Sequence, residues 1–196
     1  MKNSTKILIA IVALAVIMGL YFGSIYNKMV ELDEETTVQW SKVEVQYQRR
    51  SDLIPNLVNT VKGFAAQEKD VLTSVVEARA KATSINISAN DLSPENIKKF
   101  QAAQSQLSGS LSRLLVTMEK YPELKSNKNF LELQAQLEGT ENRIATERGR
   151  FSESVGAFNK YIRKFPNNLI SGNFGFEAKG TFESEEGTEK APDVSF

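Results

Sequence analysis

Hydrophobic and polar positions divide the chain into two regimes. Residues 7–26, ILIAIVALAVIMGLYFGSIY, pass without a charge. As a helix rising ~1.5 Å per residue, this run covers the ~30 Å hydrocarbon core of a bilayer. From Lys28 on, apolar residues recur instead at gaps of three and four. One stripe runs Trp40, Val43, Tyr47, Arg50, Ile54, Leu57, Val61, Phe64. A second runs Ile97, Phe100, Gln104, Leu107, Leu111, Leu114, Met118, Tyr121. A third runs Phe130, Gln134, Leu137, Glu141, Ile144, Arg148, Phe151, Val155, Phe158, Ile162, Phe165. Gaps averaging about 3.5 keep such a seam on one face of a gently supercoiled helix. No stretch between the stripes alternates as a strand does. The expected fold is all-α: an N-terminal transmembrane helix, then an antiparallel four-helix bundle with long coiled-coil-like helices and an extended C-terminal tail. The expected division is 1–27 for the signal-anchor segment, 28–165 for the bundle and 166–196 for an irregular, partly disordered tail.

Breaks between helices follow from cap and breaker residues. Ser93-Pro94-Glu95 reads as a helix start, with Ser as N-cap and Pro at the first helical position. The stretch from Thr83 to Leu92, rich in Ser and Asn, reads as a loop. Tyr121-Pro122 ends the third helix, because the residue before Pro is pushed out of helical geometry. Ser126 or Asn127 opens the last helix, which runs to Phe165. Two readings stay open at Pro55: a helix start near Ser51, or a kink in one continuous helix that reverses near Gly63 to Lys69. The unbroken phase from Tyr47 to Phe64 favours the kinked helix.

Three seam positions are charged. Arg50, Glu141 and Arg148 stand where Leu would be more stabilising, so they should be paired or sit at a wet edge. Glu141 and Arg148 lie about 10 Å apart along one helix, too far for contact. Glu141 is therefore expected to pair across helices, with Arg50 or with Arg79. A structural polar layer of Arg50, Glu141, Arg148 and Arg79 fixing register is the main reading. A polar pocket in the bundle core for a small ligand or ion is the other.

Composition narrows the chemistry. Basic and acidic residues balance at 24 each, which argues against a nucleic-acid partner. The chain has no Cys and no His, so no disulfide, no thiolate and neither the commonest general base nor the commonest metal ligand. No phosphate-cradling Gly loop, nucleophile elbow or metal cluster is visible, and the expectation is no enzyme, no cofactor, no metal and no catalytic residue.

At the N-terminus, Lys2 and Lys6 precede the apolar run, and its exit is bulky and aromatic: Tyr21, Phe22, Tyr26. A cleaved signal would be shorter with a small-x-small exit, so an uncleaved anchor is expected. Lys2, Lys6 and the terminal amine on one side, against Lys28 among Glu31, Asp33, Glu34 and Glu35 on the other, place the bundle on the non-cytoplasmic side. After Pro166, Gly172, Gly175 and Gly180 interrupt the pattern, and Phe174, Phe176 and Phe182 are expected to pack on the last helix or the membrane surface. Val194 and Phe196 form a candidate C-terminal interaction motif for a groove that accepts an added strand.

The string Gln48-Arg49-Arg50-Ser51-Asp52-Leu53-Ile54-Pro55-Asn56-Leu57-Val58, followed by Val61-Lys62-Gly63-Phe64, resembles the signature of the LemA family. Tyr26-Asn27, Tyr121-Pro122-Glu123-Leu124, Glu141 to Phe165 and the closing Val194-Ser195-Phe196 agree with it. Departures are Gln67, where many members carry His, and Phe158, where Tyr commonly precedes the Asn at Asn159. The resemblance implies a bacterial single-pass protein of the cytoplasmic membrane with a four-helix bundle. It supplies no established reaction; a role in envelope organisation or quality control is implied by analogy only. The expected function is a membrane-anchored structural, scaffolding or interaction role in the cell envelope. Expected partners are the lipid bilayer and copies of the chain or other membrane proteins. A receptor or adaptor binding a small ligand in the bundle core is the alternative.

Overall fold

A computed structural model describes residues 3–89 and 91–183. The described residues are helical, with no strand among them. Helix α1 spans Asn3–Lys62, α2 Lys69–Ser84, α3 Pro94–Met118 and α5 Lys128–Arg163; the single turn α4, Pro122–Lys125, joins the last two. Two 3-10 turns, Asn167–Leu169 and Gly172–Phe174, follow, and then an extended strap to residue 183. The four long helices form the antiparallel bundle that the stripes predict. The motif of Val194 and Phe196 lies outside the described residues.

Helix α1 continues without a break from the apolar run into the bundle. Residues 7–20 are exposed on every side, as an apolar segment long enough to cross a membrane requires. Burial begins at Ile25 and Met29 and then follows the seam through Trp40, Val43, Tyr47, Arg50, Ile54, Leu57 and Val61. A single apolar N-terminal helix of this kind is compatible with a single-pass membrane protein. The portion beyond residue 27 is about 52 Å long.

Pro55 lies inside α1, and the reversal falls after Lys62. A helical Pro leaves the carbonyl four residues earlier without its donor. That carbonyl belongs to Ser51, a buried residue, and Arg79 of α2 donates its Nε to it at 2.9 Å. The neighbouring helix thus supplies the hydrogen bond that the proline removes. Arg79→Met is expected to cost about 1–3 kcal/mol, the penalty for an orphaned buried acceptor. In a Pro55→Ala background, where the helix N–H returns, most of that loss should vanish. Urea unfolding of the four combinations measures the coupling.

Three buried clusters stack along the bundle. At the far end Leu57, Val61, Val71, Val75, Leu111, Leu114, Met118, Leu124 and Leu137 pack together. The middle is aromatic: Trp40 meets Phe100, Phe151 and Phe182 at ring distances of 5.3, 5.3 and 6.2 Å. Next to the apolar span, Ile25 and Met29 pack on Phe158 and Ile162.

Four seam positions depart from the expected stripes. Phe64 is exposed and Ala65 buried in its place, because α1 has ended and the turn breaks phase. Phe165 is 79% exposed, since α5 stops at Arg163. Tyr121 is half-buried beyond the end of α3, its hydroxyl donating to Glu68 at 2.9 Å. Gln134 is exposed because α5 stands away from α3 at that level. The caps fall near their expected positions: Asn127 accepts from the Phe130 N–H at 3.1 Å, while Ser93 makes no side-chain cap bond.

Candidate functional site

The gap between α3 and α5 is the candidate site. Near the apolar span it is filled by the strap, residues 176–183. Further along it opens into a cleft of about 510 Å³.

The strap is held by side-chain amides acting as a neighbouring strand would. Asn159 of α5 donates Nδ2 to the Lys179 carbonyl at 2.8 Å and accepts the Lys179 N–H at 2.9 Å. Gln101 of α3 repeats the pattern on Glu183, at 2.8 and 3.0 Å. Between them the Gly180 N–H donates to the Leu92 carbonyl at 2.8 Å. A Cβ at Gly180 would stand 2.6 Å from Pro94 Cα, so only glycine permits this approach. Lys179 adds an ion pair to Asp33 at 2.8 Å.

Phe182 carries the strap into the core, nearly parallel to the Trp40 ring. Gly180→Ala is therefore expected to lift the strap. Because Trp40 is the one tryptophan of the chain, its emission should shift to the red while the far-ultraviolet helix signal stays. Unchanged emission would mean that the strap accommodates the methyl group.

The cleft opens beyond Gln101, which also holds Glu183. Gln101, Ser105, Ser108 and Ser112 line it from α3, and Gln134, Glu138, Glu141, Asn142 and Arg148 from α5. Tyr47 and Arg50 of α1 contribute to its lining, beside Leu111, Leu115, Leu137 and Ile144. Arg50 is only 1% exposed. Its Nη1 donates to Glu141 Oε1 and to Ser108 Oγ, both at 2.7 Å, and its Nη2 to Gln104 Oε1 at 2.5 Å. Its guanidinium also lies 5.1 Å from the centre of the Tyr47 ring. Burial pushes the Tyr47 phenol above its ordinary range; the cations of Arg148 and Arg50 oppose that shift, and Glu141 adds to it.

The structure thus brings Arg50 and Glu141 together. Arg148 stands at the cleft edge, its guanidinium 4.6 Å from the centre of the Phe182 ring. Arg79 does not join them, since Pro55 has claimed it through the Ser51 carbonyl. Gln104 and Ser108 belong to the Arg50 cluster, although sequence reasoning took Gln104 only as a seam member and passed over Ser108. The signal for both was periodic. Gln134, Glu141 and Arg148 are polar at three successive heptad positions and face small polar residues of α3, as helices that part would require.

In chemical terms the cleft offers hydrogen-bond donors and acceptors above an apolar wall, with an ion pair between the buried Arg50 and the half-exposed Glu141 at its base. Among the described residues no three His, Cys, Asp or Glu side chains group as a metal site. These are groups suited to holding a polar chain or molecule.

The chain is 26% identical to magnetosome protein MamQ 1 of Paramagnetospirillum magneticum over 177 residues, 82% of this chain and 65% of the relative. MamQ of Magnetospirillum gryphiswaldense is 26% identical over 78% of this chain and 62% of the relative. The chain therefore spans just under two thirds of those proteins. Protein LemA of Metamycoplasma hominis is 22% identical over 92% of this chain and 78% of the relative. The sequence pattern described for the LemA family matches residues 39–196, and the chain belongs to that family.

Proposed function

We propose that this chain is a membrane-anchored scaffold of the cell envelope that works by contact, engaging copies of itself or other membrane proteins through the α3–α5 cleft. The observation that carries this reading is the way the strap is bound. Asn159 and Gln101 grip an extended backbone through its peptide groups, and the same interhelical gap forms the cleft beyond Gln101. A partner's extended segment would meet Ser, Gln and Asn side chains of the same kind there, with Leu111, Leu115 and Leu137 for its apolar groups. The relatives named magnetosome proteins support a membrane-associated role without fixing a partner. On this reading the protein is no enzyme, and the bundle lies on the non-cytoplasmic side of the membrane. Protease treatment of spheroplasts tests that orientation: degradation of the bundle supports it, and full protection contradicts it.

Photo-crosslinking residues placed at Ser112 and Gln134 in the cleft, and at Val45 and Val76 on exposed faces, test the contact reading in intact membranes. Adducts with discrete membrane proteins or with a second copy are expected from the cleft positions. Equal capture from all four positions would contradict it.

A second reading is favoured by the buried Arg50 and the cleft volume: a small polar ligand seated between Tyr47, Arg50 and Arg148. It predicts a monomer whose melting temperature rises with one metabolite and no adduct from Ser112.

A further inference from the structure

We infer that the loop after α5, residues 164–176, is a second membrane contact, a shallow interfacial anchor lying in the headgroup region beside the apolar helix. The inference rests on the membrane-anchored reading and goes beyond it. Its first support is position. The span ends at Tyr26, so Phe22 to Tyr26 form its last turn. Phe22 from the span and Tyr161, Ile170 and Phe176 from the other side all pack against the one cluster of Ile25, Met29, Phe158 and Ile162. Tyr26 meets Phe174 at 5.1 Å and Phe176 at 5.7 Å, edge to face. An element packed on the last turn of a spanning helix shares its depth, at the boundary between acyl chains and headgroups.

The surface of the loop suits that depth. Phe165 is 79% exposed, Leu169 61% and Phe174 57%, the three large apolar side chains that the end of the bundle leaves uncovered there. Exposed cations stand beside them: Lys160 and Arg163 in the last turn of α5, then Lys164. Apolar groups among cations match acyl chains beneath phosphates.

The backbone suits it as well: most of its peptide groups are satisfied within the loop, so it can rest against the edge of the acyl chains without exposing free donors. Asn168 N–H donates to the Lys164 carbonyl, Ile170 and Ser171 to Asn167, Phe174 to Ile170 and Ser171, Gly175 to Gly172 and Phe176 to Ser171, all at 2.9–3.2 Å. The buried Asn167 gives its Nδ2 to the Tyr161 carbonyl at 2.9 Å, covering an end of α5. Gly175 closes the second turn with φ of 78°, a conformation that favours glycine.

The test uses the full chain in vesicles of phosphatidylcholine and phosphatidylglycerol, with and without bromine on the acyl chains. Bromine quenches tryptophan at its own depth. Trp40 lies in the bundle about 21 Å beyond Tyr26 along α1, so its emission should not change. Emission added by Phe165→Trp, or by Leu169→Trp if the first fails to fold, should fall by about half or more, most with bromine placed near the headgroup. Leu14→Trp in the span should be quenched most by bromine deep in the chains. Quenching at Leu14→Trp but none at either loop position would overturn the interfacial anchor and leave the spanning helix in place. No quenching at Leu14→Trp would overturn both.

Discussion

Replacing Trp40 by Ala is expected to lower the unfolding free energy by about 3–5 kcal/mol. The indole is fully buried, and four elements meet on it: its own helix α1, Phe100 of α3, Phe151 of α5 and Phe182 of the strap. Truncation removes both the transferred area and the contacts of three rings around the resulting cavity. The surrounding helices are long and packed at both ends, so the site collapses poorly. Trp40→Phe keeps a ring at the junction and should lose less than half as much. Urea unfolding in detergent micelles, followed by circular dichroism, measures both. A loss under about 1 kcal/mol for the Ala variant would mean that the four elements share no core there.

Glu141→Leu is expected to have an effect of similar size, about 3–5 kcal/mol, for a different reason. The two members of this ion pair are unequal: the Arg50 side chain is 1% exposed and that of Glu141 is 42%. Removing Glu141 strands a buried cation on two neutral acceptors, Gln104 and Ser108. Removing Arg50 leaves a carboxylate that water can reach, so Arg50→Met should cost less. The double variant should recover more than half of the Glu141→Leu loss, because no charge is then left buried. Strictly additive losses would contradict this account of the pair.

The fold was readable because the seam is long. Heptad spacing from Trp40 to Val61 and from Phe130 to Ile162 leaves one face to bury, and the buried residues follow it. What escaped the spacing were positions where a local event overrides period. Phe64 and Phe165 fall just past helix ends. Gln134 fits the period but faces a gap, and periodicity alone does not say which seams stay open. Arg79 was drawn to Glu141 in the sequence because both are charged. Its actual partner, the Ser51 carbonyl, is a backbone group freed by Pro55, visible only by asking which acceptor each helical proline releases. The strap is the least legible element. Its binding depends on Asn159, Gln101 and Gly180, three residues remote in sequence with no periodic signature. Phe174, Phe176 and Phe182 stood out as aromatics, yet only Phe176 and Phe182 turn inward.

The account turns on α1 being one unbroken rod from the lipid into the bundle core, which fixes the cleft at a set height above the membrane. Spin labels at Ser24→Cys and Val45→Cys, in a chain with no native cysteine, test this directly in liposomes. Pulsed electron paramagnetic resonance should give a single narrow distance near 32 Å, the length of 21 helical residues. A broad distribution, or one centred well below that length, would show a hinge between span and bundle and would contradict the account.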